Sequence, residues 1–199
     1  MIHTLAIKAA EYLIKNEVGK EEYQESYIYG LEIIMEKLAT YLVLLFLALY
    51  IKLLIPSILF VAFFVVLRGY TGGFHSNTYA GCFTGTIVMY LACSQIIAPF
   101  LMKEKIIIFL SLAIAGMLIF LLAPINHPNL NMNSDEIKKC RIGIRFVLVS
   151  EVMFIIGGIF FEVNEAYIVF PCLGLVMCAI LVVLAKIIKQ EVKVHEEKC

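Results

Sequence analysis

An all-α, polytopic membrane fold is what this sequence predicts: about six transmembrane helices preceded by an N-terminal amphipathic helix. Three observations predict it. First, 62% of the 199 residues are hydrophobic and only 16% are charged, with a mean hydropathy of +0.93, whereas soluble domains are nearer half apolar and about a quarter charged. Second, the apolar residues gather in runs that reach or approach the ~20 residues a helix needs to cross the hydrocarbon core with its backbone self-satisfied. Third, the basic residues are lopsided. With the N-terminus inside, only Lys52, Lys103 and Lys105 of the 16 lysines and arginines fall on the outer side, as positive-inside topology requires. The chain balances 16 basic against 16 acidic residues, so net charge gives no reason to expect a nucleic-acid partner.

The elements follow in order. "IHTLAIKAAEYLIKN" places apolar residues at 2, 5, 6, 9, 10, 13 and 14, a helical spacing with a polar opposite face. This helix either lies at the membrane surface or packs on the rest of the protein, and both readings stay open; residues 1–30 are treated as an amphipathic, interfacial segment. They lack the basic start and compact apolar centre of a signal peptide. Apolar spans are then placed at 33–51, 53–67, 79–101, 105–123, 145–161 and 166–188. The second is short and contains Pro56, which suggests a re-entrant or strongly tilted segment, so a four-span arrangement with two partial insertions is the alternative. Residues 1–199 are read as a single membrane-embedded domain. The six cysteines form no CxxC pair, and most lie in apolar runs where cysteine behaves as a small hydrophobe.

One polar interruption stands out. "RGYTGGFHSNTYAGC", residues 68–82, holds the only arginine before position 141, a Gly72–Gly73 pair, His75 and Cys82. A free thiol, with a pKa of about 8.5, is only slightly ionised at neutral pH, and a neighbouring imidazole can take its proton and return it to a leaving group. In one unbroken helix, residues seven apart lie about 10 Å apart along the axis, too far for the ~3 Å contact such a pair needs. The chain is therefore expected to break here. Gly72 and Gly73 permit unusual backbone, and Ser76, Asn77 and Thr78 are all competent N-caps, which places His75 before the cap of the third span and Cys82 a turn inside it. Gly81 is read as leaving room for a substrate backbone. Spacing alone leaves the plainer readings open, a solvated histidine and a core cysteine. A metal is not expected, because two ligands fall short of the four that structural zinc uses.

The order Arg68…Gly72–Gly73–Phe74–His75…Cys82 resembles the signature of the AgrB family, the accessory gene regulator peptidases of Gram-positive bacteria. The length, hydrophobic profile and N-terminal segment fit, and "APINHPN" at 123–129 is similar to the proline-containing loop after that family's fourth span. The resemblance implies a cysteine endopeptidase of the bacterial plasma membrane, with no cofactor and with its active site on the cytoplasmic side. By that resemblance Cys82 is the nucleophile and His75 the general base. The substrate would be a short amphipathic propeptide for quorum sensing; its acidic C-terminal tail is removed through an acyl-enzyme thioester, and the remainder closes into a thiolactone or lactone ring. Membrane lipids and a second copy of the chain, in a homodimer, are the other expected partners.

Supporting roles are assigned more broadly. Arg68 would hold substrate carboxylates through its two-pronged donor geometry or would anchor the loop to lipid phosphate. Gly72, Gly73 and Asn77 shape the turn, and Lys138, Lys139 and Arg141 would attract the acidic tail. Glu151 falls inside the fifth span, where a carboxylate is expensive and often functional; pairing with Arg145 or Arg68, or protonation, are the options. Cys93 is read as packing. The alternative function is a transporter or exporter of a small peptide.

Overall fold

A computed structural model of the protein describes residues 2–16, 18–74, 76, 78–126 and 132–191, and every regular element among them is helical. The order is α1 (Ile2–Lys15), α2 (Gln24–Tyr50), α3 (Leu54–Thr71), α4 (Tyr79–Ala92), a π-helical turn (Cys93–Ile97) that leads into α5 (Ala98–Leu101), α6 (Lys105–Leu122), α7 (Ser134–Phe160) and α8 (Ala166–Ile187). Among the described residues, six segments are long and apolar enough to cross a membrane: Glu21–Tyr50, Leu54–Thr71, Tyr79–Leu101, Lys105–Leu122, Ser134–Phe160 and Ala166–Ile187. Each apolar run of the sequence lies within one of them to within a residue at either end, which favours six spans over four.

Two spans differ from the sequence reading. The second is a continuous helix, Leu54–Thr71, with Pro56 in its first turn, where the missing N–H would have had no helical partner anyway. Its 18 residues cover about 27 Å, and it packs along α8. The fifth was expected to start at 145 but starts at Ser134. A capping box begins it: the Asn133 side chain accepts from the Asp135 and Glu136 amides at 3.0 and 2.9 Å, and the Asn133 amide donates to Glu136 at 2.9 Å. Lys138, Lys139 and Arg141 lowered the local hydropathy and masked a helix whose start signal lay upstream.

The N-terminal helix packs on α2. Ala6 and Ala10 are fully buried while Leu5 and Tyr12 remain exposed, and His3 Nδ1 meets Glu32 Oε1 at 2.5 Å. Small residues therefore make the contact.

The core is centred on α8. Of its most apolar stretch 72% is buried, against 11% for the first span. A Cβ on Gly174 would stand 2.7 Å from the Phe60 carbonyl oxygen, so glycine is what lets the α3 and α8 backbones come this close.

Candidate functional site

The break predicted after Arg68 is present. Helix α3 ends at Thr71, and α4 does not begin until Tyr79. Gly72 has φ +62° and ψ −146°, and Gly73 has φ +123°, conformations that L side chains rarely adopt. Space demands glycine as well. A Cβ on Gly72 would lie 2.7 Å from the Ile125 carbonyl oxygen, and one on Gly73 would collide with Arg68 Nη1 and stand 3.0 Å from the Leu181 carbonyl oxygen.

Long-range backbone bonds hold this turn. The Phe74 amide donates to Leu181 at 2.9 Å, and the Ile125 amide donates to Thr71 at 2.9 Å. Arg68 adds a side-chain clamp: Nη1 donates to the Gly72 carbonyl, and Nη2 to the Phe74 carbonyl at 2.5 Å. Both expected roles for Arg68 involved an outside anion, whereas its guanidinium holds the protein's own turn. A fork of donors suits two carbonyls as well as it suits a carboxylate.

At the start of α4, Thr78 is the N-cap and accepts from the Gly81 amide at 3.2 Å. Cys82 is the fourth helical residue, its amide bonded to the Thr78 carbonyl at 3.1 Å, and it is exposed. Gly81 does not leave the room expected for a substrate: a Cβ there would collide with Ser76 Oγ and lie 3.0 Å from Thr78 Oγ1. Its job is to admit the side chains of Ser76 and Thr78 against the helix. The Cys82 thiol lies within electrostatic range of the Arg68 guanidinium and of the Tyr41 phenol on α2. Tyr41 and Cys178, which donates to the Phe64 carbonyl at 3.4 Å, escaped the sequence reading. They reach this region only through packing of α2 and α8, which no local motif announces.

His75 and Asn77 lie outside the described residues. Of the basic residues, Lys138 bonds Asp135 at 3.1 Å, Lys139 is exposed, and Arg141 lines a cavity of about 220 Å³ together with Arg145. Glu151 is only 6% exposed, and its Oε2 has no hydrogen-bond partner among the described residues. Neither arginine considered for it is in place: Arg68 is engaged in the turn, and Arg145 sits over the Phe120 ring, 5.3 Å from its centroid. Cys93 is 3% exposed within the core cluster, consistent with packing.

The family model described as Accessory gene regulator B matches the chain over residues 6–188. No curated protein and no solved structure matches it.

Proposed function

The chain belongs to the accessory gene regulator B family, whose members take part in processing quorum-sensing peptides, and on that premise we propose that it is a membrane cysteine endopeptidase and peptide cyclase. Its substrate in this reading is a short amphipathic propeptide with an acidic tail, met at the cytoplasmic face of the plasma membrane. One observation carries the reading. The chain folds back between α3 and α4 so that Ser76 abuts Gly81, and His75 and Cys82 are the immediate chain neighbours of that touching pair.

The reaction follows from the two side chains. The imidazole of His75 accepts the thiol proton as Cys82 sulfur attacks the scissile carbonyl. The C–N bond then breaks, the departing amine of the tail takes the proton from the imidazolium, and a thioester remains on Cys82. A thiol within the propeptide attacks that thioester, passing its own proton through His75 to the departing Cys82 sulfur. One thioester replaces another, so ring closure needs no outside energy source. Water must stay out for closure to beat hydrolysis, and a thiol in the first turns of a spanning helix suits that need.

The Arg68 clamp supports the same reading, because it sets the carbonyl of Phe74, the residue before His75. Glutamine at this position can reach one carbonyl but not both. Arg68→Gln is therefore expected to slow turnover by about 10²-fold, the cost of an ångström's misplacement, with KM little changed. A rise in KM at unchanged kcat would return Arg68 to a substrate-binding role. Lys138 and Lys139 supply positive charge that draws the acidic tail toward this end of the bundle.

The test is to trap the intermediate. Purified protein in lipid vesicles, mixed with the propeptide encoded nearest its gene, is expected to accumulate an acyl adduct on Cys82, seen by mass spectrometry and released by hydroxylamine. Tail release with no adduct at Cys82 would overturn the covalent route. Passage of uncut propeptide across the vesicle membrane would favour an exporter instead.

A further inference from the structure

The cavity between α6 and α7 lies beside the turn but has chemistry of its own. We infer that it seats the phosphate of an anionic phospholipid. Phe120, Leu121, Ala123, Arg141, Ile144 and Arg145 line its volume of about 220 Å³, space for several waters at ~30 Å³ each and hence for a compact tetrahedral anion. Arg141 and Arg145 are four residues apart on α7 and so share one face. Arg145 rests over the Phe120 ring at 5.3 Å, a cation–π contact that fixes its plane and leaves the donor fork free. Neither arginine has an acidic partner among the described residues, whereas Lys138 nearby has Asp135.

The surroundings choose between possible anions. Ile142, Phe146 and Val149 on α7 are 69%, 77% and 62% exposed, and Phe120 and Leu121 are 54% and 62% exposed. On helices of spanning length, such side chains face acyl chains. Guanidinium groups among them need an anion at the boundary of the hydrocarbon, and headgroup phosphate is the anion that is always there. Two forked donors match phosphate oxygens, and basic pockets between spanning helices are a recurring form of headgroup site. A bound headgroup would join the end of α6 to α7. Ala123, in the cavity wall, is two residues from Ile125, whose amide bonds the Thr71 carbonyl and whose own carbonyl lies close against Gly72, so the lipid would steady the strut beneath the turn. This inference needs only the membrane fold and stands apart from the peptidase reading.

Full-length protein in vesicles that contain spin-labelled phosphatidylglycerol or phosphatidylcholine tests it. The wild type is expected to hold phosphatidylglycerol in preference to phosphatidylcholine. Arg145→Gln should reduce that preference about fivefold, and the Arg141→Gln/Arg145→Gln pair should reduce it by roughly that factor again. The Arg141→Lys/Arg145→Lys pair, which preserves charge and helix propensity, should retain part of it because lysine is a point charge. A preference unchanged in both pairs would overturn the site. Displacement of the labelled lipid by inorganic phosphate would mean a free-anion site, and displacement by the propeptide's acidic tail would assign the cavity to the substrate; either result overturns the lipid assignment.

Discussion

Cys82→Ala is expected to lower tail release by roughly 10⁴-fold or more, because no other described group can form the acyl intermediate at this position. The next described cysteine along the helix, Cys93, is buried in the core, so it cannot substitute. Cys82→Ser should be nearly as inactive, since a hydroxyl is a far weaker nucleophile at neutral pH than a thiol. His75→Ala removes the proton carrier but leaves the thiol, and an expected loss of about 10²–10⁴-fold follows from general base catalysis. The two substitutions act on one step, so the double variant should be little worse than Cys82→Ala alone. Product analysis by mass spectrometry in vesicles measures all four proteins. Wild-type cleavage by Cys82→Ala would remove the peptidase reading at once.

Gly73→Ala is the second large expected effect, and it comes from backbone rather than from a reacting group. At φ +123° an L residue carries strain of ~1–3 kcal/mol. The added methyl also meets Arg68 Nη1 and the Leu181 carbonyl. The turn must shift, the Arg68 clamp must open, and the Phe74–Leu181 bond must lengthen. Because an ångström of displacement at a reacting group costs about 10²-fold, processing should fall at least that far. The six-span fold rests on α3 and α8 contacts elsewhere, so thermal unfolding in detergent should change far less. A Gly73→Ala protein that processes at the wild-type rate would show that this turn does not position the site.

The sequence disclosed the fold class because hydropathy is set by burial in lipid and needs no tertiary information. It also disclosed that α3 stops at Thr71 and a new helix starts at Tyr79: two glycines followed by capping residues cannot easily continue a helix. Element boundaries were less legible. The α7 start at Ser134 was hidden because lysines and arginines depress an apolar window while leaving helix propensity intact; the Asn133–Glu136 pair was the better signal. Pro56 misled in the other direction, since a proline in a first turn costs no hydrogen bond. The wiring of the site was not legible at all. That Arg68 holds carbonyls of Gly72 and Phe74, that Leu181 accepts from Phe74, and that Tyr41 comes within electrostatic range of Cys82 all depend on how distant helices pack. An arginine in a site motif looks the same from sequence whether it grips substrate or its own backbone.

The central place of α8 bears on when this protein becomes competent. The ribosome delivers α3, α6 and α7 to the membrane before the helix they pack around. A nascent chain that has passed Cys82 has its thiol and cap in place but no Leu181 carbonyl to receive the Phe74 amide, and no Gly174 surface on which to seat α3. The turn between α3 and α4 is therefore completed by the last of the six spans, and on the proposed peptidase reading a chain stalled or cut before it is expected to be inert. On that reading, order of synthesis would act as a safety interlock, since the proposed nucleophile gains its support only once the rest of the bundle has assembled around it.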